Sequence, residues 1–369
     1  MAENTSSSLS RVMSAFALEI PDKVPFHAYE SPENALRRMG ICAHEMYLDK
    51  DILPAAMINS AKLYQNDIIY MRPGLEAGVD EKIVREGDGL AFFDKQTGRQ
   101  TFRVLHDQKT KIPLSKSRPL VETERDVEKM TVTPWRELLQ KTGYSSLARY
   151  VEEFKGKRFL FGFACNQSAN ELATQMGLEE SMLATMTDTG LCRAILDRRF
   201  EQLKEEMQAL CHLGCDGVYT GDATASCSLF SPETYRELFF DYHKKSIAYA
   251  HGLGMKALLH ICGRISPILE DMAATGADVL ESIDRHCSGG DMTLRDAKQR
   301  VGDRVCLKGN LDAVHEIEPG PPEKIYELCL QAMRDAGPGG YVLSTEQITR
   351  DTPPEHVLAM VQARDDFKP

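Results

Sequence analysis

Eight short apolar runs, the later ones separated by stretches of helical periodicity, constrain this chain more than any other feature. Six of them lie in the last two-thirds: RFLFGFAC (158–165), DGVYTGD (216–222), KALLHICG (256–263), DVLESID (278–284), RVCLKGNLD (304–312) and GYVLST (340–345). KVPFHAY (23–29) and NDIIYM (66–71) complete the set. Helical spacing of apolar residues covers roughly 192–213, 232–253, 266–275, 292–300 and 322–335. An uninterrupted apolar run is how a strand buried on both faces reads, and parallel neighbours are joined by a crossover helix. Repeated eight times, the pattern predicts a (β/α)8 TIM barrel, with an open doubly wound sheet as the alternative. No Gly-x-Gly-x-x-Gly follows any run, which weighs against the open sheet. The expected organisation is a single decorated domain, 1–369.

Two segments stand outside the alternation. Residues 13–20 read as a short amphipathic helix, an N-terminal extension. The segment 75–120 is polar, with turn signals at Gly87-Asp88-Gly89 and Gly98, and GLAFFDK and QTFRVLHD flank the second turn. It predicts an inserted β-hairpin, a lid over the larger body.

Composition narrows the function classes. The formal charge of −11 opposes a nucleic-acid partner, which requires clustered Lys and Arg. No apolar run approaches the roughly 18 residues a membrane span needs, and the N-terminus lacks a basic stretch leading into an apolar one. The ten cysteines have no framework spacing. The expectation is a cytoplasmic protein in a reducing compartment, without membrane or nucleic-acid partner; the oligomeric state is left open, with a homodimer among the options.

In a parallel barrel the active site is built where strands end. The residues ending the runs are Asn166, Asp222, His260 with Cys262, Asp284, Asn310 with Asp312, and Glu346. Helix capping accounts for Asp284 and Asp312 at least as well as chemistry does. For Asp222 the next helix begins only near Ser231, which favours chemistry. His260 and Cys262, two apart on a strand, face the same way, and an imidazole beside a thiolate is half a zinc site. The alternative is a core histidine beside a buried cysteine. CHLGC (211–215) falls at the wrong end of a barrel for catalysis, and His286 and Cys287 read as loop residues.

The block GDATASCSLFSPETYRELFF, continuing into KALLHICG and VLESID, resembles the uroporphyrinogen decarboxylase superfamily, as do VCLKGNLDA and GGYVLSTEQITRDTPPEHVLAMVQAR. The superfamily has a metal-free decarboxylase branch with an Arg-rich N-terminal motif and a corrinoid-dependent methyltransferase branch. The Arg-rich motif has only a poor counterpart in Arg37-Arg38. His-x-Cys is similar to the methyltransferases, where a third zinc ligand, commonly cysteine, follows the last strand. Here that place reads Ser344-Thr345-Glu346-Gln347. The resemblance therefore implies Zn2+ held by His260, Cys262 and Glu346. A carboxylate in place of a second thiolate makes a stronger Lewis acid, suited to an ether oxygen.

The implied reaction is O-demethylation of a small-molecule methyl donor, a methoxylated aromatic. The methyl group passes to the corrinoid (cobalamin) of a partner corrinoid protein. Asp222 is a further ligand or an acid, and Asn166 and Asn310 are positioning groups. Phe161, Phe163 and Tyr219 suit an aromatic ligand or belong to the core. The rivals are methylation of a thiol of the coenzyme M type, porphyrinogen decarboxylation, and a scaffold without turnover.

Overall fold

The computed structural model describes residues 7–75, 81–114, 119–164 and 167–368. In chain order its strands are β1 (Phe26–His27), β2 (Ile68–Met71), β3 (Glu81–Glu86), β4 (Gly89–Asp94), β5 (Gln100–Val104), β6 (Ile112–Pro113), β7 (Phe159–Phe163), β8 (Gly217–Gly221), β9 (Lys256–His260), β10 (Val279–Glu281), β11 (Cys306–Leu311) and β12 (Tyr341–Thr345). Eight form one parallel sheet in the order β1-β12-β11-β10-β9-β8-β7-β2. Its end strands meet where the Asp67 N–H donates to the Phe26 carbonyl at 2.8 Å. The Asp67 carboxylate and the Asn66 side-chain oxygen accept from the N–H groups of Phe26 and Ala28. Side chains thus satisfy the backbone that the two-residue β1 leaves unpaired, and the sheet curls into a nearly closed barrel. Each apolar run of the sequence holds one of these strands. Helices Thr189–Leu213, Phe240–Gly252, Leu269–Ala274, Leu294–Val301 and Pro322–Ala336 occupy the crossovers.

Helix Ser8–Phe16 closes the end of the barrel where the strands begin. It lies earlier than residues 13–20. Ser7 caps it, accepting from the Ser10 N–H at 3.1 Å, and Leu18 leaves it with a left-handed φ of 62°. Amphipathic spacing marks a face; the cap and the exit residue mark the ends. Val12, Ala15 and Phe16 pack on Ile68, Phe159, Val279 and Cys306, at or near strand starts.

The segment 75–120 is more than a hairpin. It forms an antiparallel sheet, β3-β4-β5-β6. The hairpin around Gly98 is its centre, with a small core of Leu90, Phe92 and Val104. β3, EKIVRE, is mostly exposed and charged, so its apolar signal is weak. The loop after β5 brings Lys109 and Thr110 beside Arg72 and Phe163, at the ends of β2 and β7. Among the described residues no helix is long and apolar enough to cross a membrane.

Candidate active site

A cleft of about 540 Å³ opens where the parallel strands end. His260, Cys262, Asp284 and Glu346 all line it. β9 stops at His260, so Cys262 reaches the cleft from the turn that follows, at Gly263, which has a φ of 87°.

The register of the sheet organises the first half of the site. Glu281 of β10 lies opposite His260 of β9 and, on its other side, opposite Lys308 of β11. His260 Nδ1 is 3.1 Å from Glu281 Oε2 and 3.3 Å from Ser282 Oγ. Lys308, fully buried inside the barrel, donates to Glu281 and to Ser344 Oγ, and the Tyr70 hydroxyl donates to Glu281 at 2.6 Å. Burial alone would push Glu281 up, but the charges of Lys308 and His260 hold it below the usual carboxylate range. Burial likewise opposes charge on His260, yet its hydrogen bonds to Cys262 and Glu281 raise its pKa well above the ordinary imidazole value. A carboxylate behind an imidazole sets the ring's tautomer and orientation, as it does behind metal-bound histidines. Tyr219 stacks on the His260 ring with centroids 5.5 Å apart.

The second half is a carboxyl pair. Asp284 and Glu346 line the same cleft, close enough for the charge of one to act on the other. Burial, and then the charge of Asp284, push Glu346 up to about 7. Burial also raises Asp284. Two carboxyls that repel each other's charge in a buried place favour keeping one of them protonated. Asp284 Oδ2 accepts from the Gly263 N–H at 2.5 Å, while Oδ1 is buried without a hydrogen-bond partner among the described residues. A buried carboxylate oxygen with no donor is costly unless a cation or water satisfies it. Nitrogen, sulfur and oxygen donors around one orphaned carboxylate fit a zinc-type ion. The donors stand as two pairs, His260–Cys262 and Asp284–Glu346. Among the described residues, the trio of such donors lying within 4.8 Å of one another is instead Cys42, His44 and His106, beside the inserted sheet. There His44 Nδ1 already accepts the Asp107 N–H, and His106 Nδ1 sits on the Asp88 carbonyl.

Asp222 requires a correction: its carboxylate is not an open group at the mouth. Fully buried, it accepts from Ser168 Oγ at 2.5 Å, Ala169 N at 3.1 Å and Asn170 N at 2.7 Å, and His243 Nε2 lies 2.8 Å away. It caps helix Ser168–Met176, which precedes it in the chain, where the sequence argument considered only the helix that follows. Asp312 does cap locally, accepting from the N–H groups of Val314 and His315. Asn310 is buried on β11, outside the lining of the cleft, with its side-chain oxygen unpartnered among the described residues. Asn166 lies outside the described residues. Phe161 belongs to the barrel core, whereas Phe163 lines a neighbouring cleft. Ser288 and Gly289 of the loop after β10 line the site; His286 and Cys287 do not. In CHLGC, His212 packs on Trp135 and Cys215 is buried. Sequence reasoning missed Glu281. Its signal was a carboxylate interrupting the apolar run DVLESID.

The profile of the family described as uroporphyrinogen decarboxylase (URO-D) matches residues 105–367. A methylcobamide:CoM methyltransferase of Methanosarcina barkeri is 30% identical over 194 residues, covering 52% of this chain and 54% of the relative. A uroporphyrinogen decarboxylase of Yersinia pestis is 34% identical over 137 residues, covering 33% of this chain and 36% of the relative. The chain thus spans about half the length of the first relative and about a third of the second. A solved methyltransferase structure from Methanosarcina mazei matches 98% of this chain and 99% of its own, with a TM-score of 0.74 and 21% identity, which speaks to the fold.

Proposed function

This chain belongs to the uroporphyrinogen decarboxylase family, and on that premise we propose that it is a corrinoid-dependent methyltransferase. The substrate in this reading is a methyl ether, a methoxylated aromatic, and the acceptor is the reduced corrinoid of a partner protein.

The observation that carries the reading is the composition of the cleft. His260, aligned by Glu281, stands with Cys262, Asp284 and Glu346 in one cleft, and the described lining contains no Lys or Arg. A porphyrinogen decarboxylase must accept several substrate carboxylates, and an acidic mouth opposes that. Zinc held by His260, Cys262 and Glu346, with Asp284 as a further oxygen donor, would supply a Lewis acid for the departing ether oxygen. Glu281 keeps His260 Nδ1 occupied, which leaves Nε2 to act as the ligand. Tyr219 covers the face of that ring and limits access of water. Binding of a cation by Asp284 and Glu346 would require both as carboxylates and would release the proton that their raised pKa values favour.

Methyl transfer from methylcobamide to a thiol is about as well supported, because the Methanosarcina barkeri relative is named for that reaction. Metal analysis of protein purified without added zinc, together with two assays, separates the readings. On the ether reading the protein carries about one zinc per chain, lost in His260→Ala and Cys262→Ala, and methoxylated aromatics methylate reduced cobalamin. Turnover only with methylcobalamin and a thiol would move the assignment to thiol methylation. Metal-free protein that decarboxylates porphyrinogen would overturn both.

A further inference from the structure

A second cleft, of about 440 Å³, lies between the ends of β2 and β7 and the inserted sheet. Its described lining holds two cations, Arg72 and Lys109, and no carboxylate, in a chain whose formal charge is −11. Lys109 is matched by Glu33 at 3.0 Å. Arg72 has no such match among the described residues, and its Nε and Nη2 are buried without a hydrogen-bond partner. Its guanidinium is held between two aromatic rings, 5.4 Å from the centroid of Tyr29 and 5.3 Å from that of Phe163. Those contacts fix a planar cation in place, but they supply neither a counter-charge nor an acceptor for its N–H groups. Much of the remaining wall is apolar, with Met46, Leu53 and Leu75 beside Tyr47.

The same aromatic wall leads to the metal-ligand candidates. Tyr29 also lines the first cleft. Phe163 packs on Tyr219 at 4.7 Å, and Tyr219 stacks on His260. The acidic end of this wall suits a cation, and the basic end suits an anion attached to an apolar body.

We propose that Arg72 anchors the oxyanion of the substrate, which is an apolar carboxylic acid. On the ether reading, on which this proposal rests, the ligand is a methoxylated aromatic acid. Its carboxylate pairs with the guanidinium, and its ring lies along Phe163 toward the first cleft. An arginine already immobilised by stacking loses little freedom when it takes a carboxylate, and a charge-assisted pair shielded from water is among the stronger polar contacts.

Titration calorimetry on the full chain, free of metal and corrinoid, tests the anchor independently of turnover. The probes are a methoxybenzoate, the matching neutral methoxybenzamide, and mercaptoethanesulfonate. The acid should bind at least about 10-fold more tightly than the amide. Arg72→Gln should abolish that preference by weakening the acid alone, its unchanged amide binding showing that the cleft is intact. Arg72→Lys, which keeps the charge and loses the planar fork, should fall between them, and it serves if the glutamine variant does not fold. Equal affinity of acid and amide in the wild type, or a preference that survives Arg72→Gln, overturns the proposal. Arg72-dependent binding of the sulfonate without binding of the benzoate overturns the aromatic acid and favours the thiol reading. Arg72-dependent binding of the benzoate without methyl transfer sinks the ether reading and leaves the anchor standing.

Discussion

Glu281 is pulled from two sides, by Lys308 within the barrel and by His260 at its mouth. Glu281→Gln keeps the shape and removes the charge. The fully buried Lys308 then loses its counter-ion, which should cost about 3–5 kcal/mol in denaturant unfolding. His260 also loses part of what raises its pKa, and zinc affinity measured by chelator competition should fall about 10- to 100-fold. Unchanged affinity would remove Glu281 from the site. Glu346 gives a pH signature in the metal-free protein. Its pKa, raised by burial and then by Asp284 to about 7, means that the native state holds the proton more tightly than the unfolded chain. That contribution is complete below the unfolded-chain pKa and is lost as pH rises through about 7. Glu346→Gln, which has no proton to lose, should therefore gain about 1–2 kcal/mol relative to wild type between about pH 5 and about pH 8, followed by urea unfolding in chelator. Parallel curves would contradict the raised pKa.

At the scale of the element, helix Ser168–Met176 depends on a residue from another part of the chain. Asp222 accepts from the backbone N–H groups of Ala169 and Asn170 and from the Ser168 hydroxyl. Asp222→Ala leaves these donors and His243 without their acceptor, and unfolding should become easier by about 3 kcal/mol or more. Zinc in the folded protein should persist, because the carboxylate points into the helix end. Wild-type stability with loss of metal would instead make Asp222 a ligand. The periodicity of the sequence placed the crossover helices well, since each carries its own apolar face. It could not assign this cap, because the partners are some fifty residues apart and meet only across β7 and β8.

For the whole molecule, the N-terminal helix and the barrel share one core. Phe16 packs edge-on against Phe159 at 5.1 Å, and Arg11 reaches the buried Asp67 at 2.7 Å, where the ends of the parallel sheet meet. The helix therefore supports closure rather than ornamenting it. Phe16→Ala should lower global stability by about 3–5 kcal/mol, with a single transition by fluorescence and circular dichroism. Loss of the helix alone, with an unshifted barrel transition, would show that the two are energetically separate.

The sequence by itself determined the eight parallel strands, the crossover helices between the later ones, and the gathering of His260, Cys262 and Glu346 at one cleft. All three follow from local pattern. Burial on both faces writes an apolar run, and parallel β/α wiring carries every strand end to the same side. What the tertiary structure decided were relations between elements. The register of β9, β10 and β11 put Glu281 between His260 and Lys308. The turn at Gly263 drew Asp284 to the site when its position also suited a cap. The fold of the inserted segment set Lys109 beside Arg72, which is unmatched among the described residues. A charge's partner is chosen by distance after the chain has closed, and no periodicity along a single strand or helix encodes that distance.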